Sequence, residues 1–256
     1  MLMVHVVDDD QPRRIVDAER DEATTLLRQM AATLRDVDGV TCGTRVILAS
    51  PFVGIAQAVA DATPDLLVIG PHRRQVLRDV FIGTTAERTI RSVDCPVLMV
   101  NATPAGPYRH IMLTTDLSNG SRHALQRVAA LGIDKRARRS VLYVFDAPAL
   151  RLVRIDTPGK EERENYLADE RMNAARQLSD FLSSAGIHNV KAMLRHEEAP
   201  AAFEILKAAE KEDADLVVLA THNRGGLAKL VIGSVTEQVL RTSPVDVLAI
   251  PPTHPD

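Results

Sequence analysis

The stretch THNRGGLAKLVIGSVTEQVL at residues 221–240 decides the fold, because the chain carries a second version of it. The sequence DLLVIGPHRRQVLRDVFIGTTAERTIR, which begins at Asp65, lies without a gap over DLVVLATHNRGGLAKLVIGSVTEQVLR, which begins at Asp215. The matched positions include His72 and His222, Gly83 and Gly233, Thr84 and Ser234, Glu87 and Glu237, and Arg91 and Arg241. The chain is therefore a tandem repeat of one unit.

Each repeat alternates β-rich runs with helical patterns, which is typical of parallel βαβ connections. A run such as Leu216–Leu219 is apolar throughout, as expected of a strand covered on both faces. The second repeat predicts strands at 110–116, 140–146, 190–196, 215–220 and 245–250, and helices at 121–132, about 160–185, 200–212 and 234–242. A polar loop is predicted through Pro148 and Pro158. The predicted fold class is α/β, with two tandem, doubly wound, parallel five-stranded units.

The first repeat is incomplete. It begins at LMVHVVDDD, which matches the second strand of the other repeat, and nothing precedes it that corresponds to residues 109–138. Its first strand and first helix are therefore missing, and the first strand is normally interior in a doubly wound sheet. A reading frame that starts upstream of Met1 is the favoured explanation, and another segment that fills the position is the alternative. The predicted units are 1–103 and 108–253, joined by the Pro- and Gly-containing segment NATPAGPY at 101–108.

Composition narrows the classes of function. The net charge of −3 gives no broad field that would attract nucleic acid, and aromatic residues make up only 3%, without tryptophan. No apolar run approaches the ~20 residues of a membrane span. Cys42 and Cys95 have no pairing or metal-ligand spacing, which suits a reducing compartment. We therefore expect a cytoplasmic protein with no nucleic-acid partner and no membrane span.

The predicted strands place candidate binding residues at one edge of the second sheet. Ligands of open α/β sheets bind beyond the carboxyl ends of the strands. The segments that end there are Thr114, Thr115 and Asp116 after the first strand, Val144 and Phe145 after the second, and Ala220–Arg224 after the fourth. Asp116 stands where an acidic residue would accept from a ribose hydroxyl or an adenine edge. Its other interpretation is an N-cap for the next helix.

The last helix opens at Gly233 and Ser234. Its first N–H groups and the positive end of its dipole favour a phosphate. Ser234 could cap this helix, contact the phosphate, or do both, and the RGG segment at 224–226 adds a cation and a flexible backbone nearby. The alternative is a loop that only turns the chain.

His72 and His222 are interpreted as loop histidines that bond locally. No His or Cys at ligand spacing accompanies them, so no metal site is assigned. A triad of Ser234, His222 and Asp116 can be drawn, but no Gly-x-Ser-x-Gly elbow supports it. No catalytic residue is assigned.

The sequence ATHNRGGLAKLVIGSVTEQVLRTSPVDVLAI resembles the C-terminal motif of universal stress proteins, and so do the Asp-x-Ser of TTDLS and the strand DLVVLATH. The resemblance covers nearly the whole chain as two tandem units. It implies a stress-response or signalling module that binds a small ligand, with ATP, accompanied by Mg²⁺, as the cofactor. It implies binding residues in the second repeat, which are Thr115, Asp116, Val144, Ala220, Asn223, Gly233, Ser234 and Val235.

The glycine turn departs from the family pattern in both repeats. Ala220 and Asn223 occupy the two glycine positions of the second repeat, and Gly70 and Arg73 occupy those of the first. Asn adopts positive φ more readily than most residues, whereas Arg73 is less suited to that conformation. A nucleotide site is therefore expected in the second repeat, not in the first.

Three functional interpretations remain open. In the first, the second repeat binds an adenine nucleotide. In the second, neither repeat does, and the chain is a scaffold for a protein or lipid partner. A weak ATP hydrolase ranks last, because no base is nominated, and the protein is not predicted to be an enzyme. The resemblance implies that the fifth strands, VLMV at 97–100 and VDVLAI at 245–250, pair the two units within one chain, and a homodimer is left open.

Overall fold

The computed structural model describes residues 1–70, 84–103, 106–133, 135–152, 159–221 and 232–252. The residues named above that lie outside these ranges are His72, Arg73, Gly83, Pro158, His222, Asn223 and the segment 224–226. The described chain forms two compact bodies. The smaller body contains residues 1–64 and 84–93, and the larger body contains the other described residues.

The smaller body has two strands and three helices. They are β1 (Leu2–Val7), α1 (Arg13–Asp38), β2 (Gly43–Leu48), α2 (Pro51–Ala62) and α3 (Thr84–Ile90). Strands β1 and β2 are parallel, with Leu2 opposite Gly43 and Val7 opposite Leu48. Helix α2 approaches β1 closely at Gly54, where a Cβ atom would lie 2.5 Å from Cγ1 of Val6. Glycine is therefore required at that contact.

The larger body has seven strands and five helices among the described residues. The strands are β3 (Leu67–Ile69), β4 (Val97–Met99), β5 (His110–Thr115), β6 (Arg138–Phe145), β7 (Lys191–His196), β8 (Leu216–Ala220) and β9 (Asp246–Ile250). The helices are α4 (Asn119–Leu131), α5 (Pro148–Leu152), α6 (Lys160–Ser184), α7 (Ala201–Lys211) and α8 (Ser234–Thr242). No described helix combines the length and apolar character that a membrane crossing requires.

The second repeat supplies a parallel sheet in the order β9-β8-β5-β6-β7. The prediction of five parallel strands with the first strand in the interior is confirmed, since β5 pairs with β6 on one side and β8 on the other. Its core strands are apolar on both faces, and Ile111, Val141 and Leu216 are fully buried. The sheet can therefore be covered by helices on both sides.

Strand β4, from the first repeat, extends this sheet by pairing antiparallel with β9. Leu98 lies opposite Leu248, and Met99 lies opposite Val247. Strand β3 pairs in turn with β4, so that the sheet has seven strands. The compact bodies therefore have different boundaries from the sequence repeats: β3 and β4 belong to the first repeat by sequence, but are hydrogen-bonded to the second.

The strands of the first repeat do not form one sheet. Among the described residues β1 pairs only with β2, and β3 pairs only with β4. In the second repeat the equivalent strands β6 and β8 both pair with β5. Among the described residues no strand of the first repeat pairs in parallel on both of its sides, as β5 does in the second.

Several helix boundaries differ from the sequence expectation. Ser118, not Asp116, is the N-cap of α4, and its side chain accepts from the N–H of Ser121. Gly233 is the N-cap of α8, so Ser234 is its first helical residue and does not cap it. The segment after β6, predicted as a loop, contains the short helix α5, because proline is favourable at a first helical position. Cys42 and Cys95 are free thiols, and burial raises the pKa of the Cys95 thiol.

Candidate functional site

The carboxyl ends of β8, β5 and β6 lie side by side at one edge of the sheet. Thr115 is in register with Tyr143 of β6, and Leu113 is in register with Val218 of β8. The hydroxyl of Thr114 donates to the carbonyl of Val218 at 3.0 Å and ties β5 to β8. Because neighbouring strands are about 4.8 Å apart, residues that follow them share one small region.

Thr115 shapes the turn that leaves β5. It is buried, and its hydroxyl lies 2.8 Å from Oγ of Ser121 and accepts the backbone N–H of Leu117 at 2.9 Å. Leu117 has a φ of 63°, a left-handed conformation that is unfavourable for a branched side chain. Such strain is concentrated at functional sites, where the surrounding bonds hold it in place. Thr115 therefore positions this turn.

Asp116 is exposed at the same turn. Its Oδ1 accepts the backbone N–H of Ser118 at 3.0 Å, which fixes the direction of the carboxylate. The capping bond of Ser118 to Ser121 then starts α4. The structure thus assigns the cap to Ser118 and places the Asp116 carboxylate at the edge of the sheet.

Val144 is half-buried near the end of β6, next to Tyr143. The pKa of Tyr143 is raised, first by burial and then by the negative charges of Asp116 and Asp146. Two carboxylates from neighbouring strand ends therefore act on one phenol, so this part of the edge is electronegative. Tyr143 keeps its proton at neutral pH.

Helix α8 begins next to the end of β8. The hydroxyl of Thr236 donates to the carbonyl of Ala220 at 3.3 Å, and Ala220 is buried. Gly233 has a φ of −63° and ψ of 152°, and as the N-cap residue it brings no side chain to the first N–H groups of the helix. Ser234 is exposed and Val235 is half-buried. An uncapped N-terminus with its positive dipole end favours an anion.

The predicted site residues thus divide into two groups. Residues of the larger body at the carboxyl edge of the sheet or at the start of α8 are Thr115, Asp116, Val144, Ala220, Gly233, Ser234 and Val235. Asn223 lies outside the described residues. Sequence reasoning missed Leu117, Ser121 and Thr236, which hold the turn and the helix. The spacing of Ser118 and Ser121 before an apolar helical pattern is the signal that could have found the first turn.

One acidic cluster lies away from this edge, on the turn after β1. The carboxylate oxygens of Asp8, Asp9 and Asp10 lie within 4.8 Å of one another, and the side chains are exposed or half-buried. Exposed acidic groups commonly cluster without an ion. We assign no metal site there.

The fold and this edge define a doubly wound α/β protein with a ligand-type site beyond the carboxyl ends of its strands. The family model of the universal stress protein family matches residues 2–101 and 107–251. The chain belongs to the universal stress protein family.

Curated relatives agree with this assignment. A universal stress protein of Mycolicibacterium smegmatis is 24% identical over 247 residues, which is 93% of this chain and 80% of the relative. A putative universal stress protein of Staphylococcus aureus strain USA300 is 26% identical over 145 residues, which is 56% of this chain and 84% of the relative. The first relative therefore resembles both repeats together, and the match to the second spans about one repeat.

Solved structures show the same fold. A putative universal stress protein from Pseudomonas aeruginosa has a TM-score of 0.65 at 20% identity, with 98% of this chain and 93% of that chain covered. A universal stress protein from Archaeoglobus fulgidus has a TM-score of 0.66 at 16% identity, with 98% and 86% covered. At these identities the likeness concerns the fold alone.

Proposed function

We propose that this universal stress protein is a binding module of the stress response, and that its second repeat binds an adenine nucleotide at the carboxyl edge of the sheet. One observation carries the proposal: the uncapped start of α8 is bonded to the end of β8, on the edge where Asp116 is exposed. A donor for phosphate and an acceptor for ribose or base are thus parts of one edge.

The phosphate would lie at the start of α8. The free N–H groups there need acceptors, and Gly233 has no side chain to supply one. The Ser234 hydroxyl is exposed and adds a donor, while Thr236 fixes the helix against β8. These residues fit a phosphate through hydrogen bonds and the helix dipole, without a cationic side chain among the described groups named here.

A magnesium ion fits the charge of this edge. Asp116 and Asp146 both act on Tyr143, so a polyphosphate would meet unfavourable negative charge there. Mg²⁺ is bound mostly through phosphates and a few carboxylates. We propose that a nucleotide enters as its magnesium complex, with Asp116 towards the nucleoside and α8 towards the phosphates.

The remaining aspects of the proposal concern the mode of action. We propose that the protein acts by binding and not by catalysis, and that it is cytoplasmic. We also propose that the two repeats form one pseudo-dimer within the chain. The antiparallel pairing of β4 with β9 supports this last point, because these are the final strands of the two repeats. We also propose that two such chains associate as a homodimer.

A scaffold without nucleotide is the alternative. Ala220 stands at a glycine position, and its methyl group is added where a backbone would approach a ligand. Helix α1 exposes the apolar side chains of Leu26, Met30 and Val37, which favours a macromolecular partner. The two functions are separable, because they use different bodies of the protein.

The test is direct measurement of nucleotide on the full chain. Purified protein is denatured and its supernatant is chromatographed for carried nucleotide, and then ATP with Mg²⁺ is titrated into nucleotide-free protein by calorimetry. About one nucleotide per chain is the expected result. Gly233→Val is expected to abolish binding, because its β-branched side chain would occupy the phosphate position while the backbone keeps an ordinary φ.

Two further variants compare the loss of a carboxylate at the site with the loss of a carboxylate elsewhere. Asp116→Ala is expected to weaken binding about tenfold or more, as loss of a charged hydrogen bond would. Asp180→Asn removes an exposed carboxylate of α6 and is expected to bind as the wild type does. No carried nucleotide and no heat up to millimolar ATP would reject the nucleotide and favour the scaffold.

A further inference from the structure

Helix α1 and the start of β2 border a cavity of about 180 Å³ in the smaller body. The helix lines it with Arg28, Ala31 and Arg35, and the chain at the start of β2 lines it with Thr41, Cys42 and Thr44. Since side chains alternate along a strand, Thr44 lies on the same face of β2 as Val46, which packs against the core of α1. All of these residues belong to one body.

In the second repeat, buried leucines stand at two of the positions that line this cavity. The left-handed glycines that end the two helices have φ values of 68° and 67°, and they align α1 with α6. Ala31 and Arg35 then correspond to Leu178 and Leu182, which are buried in the core of the larger body. Ala31 is smaller than leucine, and Arg35 replaces an apolar side chain by a cation. The first repeat therefore has a polar cavity where the second has apolar packing.

The positive charge at the cavity is largely unneutralised. Arg28 is exposed, and its side chain has no hydrogen bond or ion pair among the described residues. Nε of Arg35 lies 3.0 Å from Oδ1 of Asp36, but both side chains of this pair are 64% exposed. Such surface pairs contribute little. The N–H groups on the two Nη atoms of Arg35 are left for another acceptor.

The arginines are not needed to complete the end of α1. Cationic side chains near a helix C-terminus often bind its last carbonyl groups. Here the backbone N–H of Gly39 donates to the carbonyl of Arg35 at 3.2 Å. The backbone N–H of Val40 donates to the carbonyl of Leu34 at 3.0 Å. These two carbonyls therefore have backbone partners, and the guanidinium groups are available to a ligand.

The chemistry of the lining residues suits an oxyanion. A guanidinium group carries planar, charged N–H donors that match the oxygens of a phosphate. The hydroxyls of Thr41 and Thr44 supply two further donors. Among the described residues that line the cavity there is no Asp or Glu, so a metal cation would find no carboxylate there. Since a water occupies about 30 Å³ in the liquid, a tetrahedral oxyanion fits this volume.

We propose that this cavity binds a phosphate group, either as inorganic phosphate or as the phosphate of a small monoester. Arg28 and Arg35 bind its oxygens, the two threonine hydroxyls donate to them, and the thiol of Cys42 lies beside the bound anion. The site is separate from the nucleotide site proposed for the second repeat, because its residues belong to the other body.

Cys42 reports occupancy, because it lines the cavity. The chain has two cysteines, so Cys95→Ala leaves Cys42 as its only thiol. The test measures the rate at which the neutral reagent 4,4′-dithiodipyridine modifies Cys42 of the full chain as inorganic phosphate is added. Sodium chloride holds the ionic strength constant. Bound phosphate is expected to slow the reaction saturably, by about tenfold when its concentration is ten times its Kd.

Variants of exposed arginines test the site without disturbing the core. Arg28→Gln and Arg35→Gln are each expected to raise the Kd of phosphate about tenfold, as loss of a charged hydrogen bond would. Arg14→Gln is the matched control, because Arg14 is an exposed arginine of the same helix that does not line the cavity. Gly233→Val should also leave the protection of Cys42 unchanged. The phosphate site and the nucleotide site can therefore fail separately.

The same measurement with glycerol 3-phosphate separates the two sources of the phosphate group. Protection at lower concentrations than with inorganic phosphate would assign the cavity to a monoester, and the reverse would assign it to the free ion. Two outcomes would overturn the proposal. One is a rate at Cys42 that phosphate and chloride change equally at the same ionic strength. The other is protection that both Arg28→Gln and Arg35→Gln leave unchanged.

Discussion

The carboxylate of Asp246 accepts a hydrogen bond of 2.7 Å from the hydroxyl of Tyr108 through Oδ2. Its Oδ1 accepts the backbone N–H groups of Asn101 and Ala102 at 2.8 and 3.0 Å. Asp246 is buried at the start of β9, and the groups that it binds belong to the connection between β4 and β5. One carboxylate thus joins the segment between the repeats to the strand that pairs with β4.

Replacement of Tyr108 by Phe is expected to lower the free energy of unfolding by about 1–2 kcal/mol, because a bond to a charged acceptor is lost. Burial and the Asp246 carboxylate raise the pKa of Tyr108. The unfolded phenol ionises near pH 10 and the folded one does not, so the wild type loses stability as the pH rises above about 10. Tyr108→Phe lacks this contribution. The free energies of unfolding of the wild type and of Tyr108→Phe, measured in urea from neutral to alkaline pH, should converge as the pH rises. A difference that does not change with pH would contradict the assignment.

Replacement of Asp116 by Asn is expected to lower the pKa of Tyr143 towards its ordinary value. One of the two carboxylates that oppose ionisation is removed, while burial and Asp146 remain. The measurement is an absorbance titration of tyrosinate in a background with Tyr108→Phe and Tyr166→Phe, so that Tyr143 alone titrates. Asp180→Asn is the control and should leave the titration unchanged. If Asp116→Asn left the tyrosinate titration unchanged, the Asp116 carboxylate would not act on the Tyr143 phenol.

Replacement of Arg195 by Met is expected to destabilise the protein by about 3 kcal/mol. Nε of Arg195 lies 2.9 Å from Oε2 of Glu204, and the two side chains are only 21% and 4% exposed. The loss of the arginine leaves a buried carboxylate without its partner. The double variant Arg195→Met, Glu204→Leu should recover most of the loss in urea unfolding. If the double variant were as unstable as the sum of both single variants, the pair would not be coupled.

Replacement of Ser140 by Ala is expected to cost about 1–3 kcal/mol, because a buried ring nitrogen loses its partner. Nε2 of His110 lies 2.8 Å from Oγ of Ser140, and both residues are almost fully buried. Nδ1 of His110 lies 2.9 Å from the carbonyl of Glu212. Ser183→Ala, on the exposed side of α6, is the control in urea unfolding and should change stability little. Equal stability of the two variants would contradict the expected role of the Ser140 hydroxyl.

The strands and long helices of the second repeat were predictable because their patterns are local. Helix α8 covers the predicted residues 234–242, and β5 and β8 each lie within a predicted run. Caps were less predictable, since Asp116 and Ser118 are both suitable residue types. The position of the chain after β5, together with the hydrogen bond from the backbone N–H of Ser121 to Oγ of Ser118, selects Ser118. The hydroxyl pair of Thr115 and Ser121 could not be predicted, because it depends on how α4 packs against β5.

The sequence by itself determined the tandem repeat and the α/β class, because these follow from an internal comparison and from hydrophobic periodicity. Tertiary structure alone decided which compact body each strand joins. Strands β3 and β4 belong to the larger body because hydrogen bonds to β9, and not proximity in sequence, hold them there. Strand β1 pairs, among the described residues, only with β2, since a strand's partners are set by the strands available beside it, which no local pattern specifies.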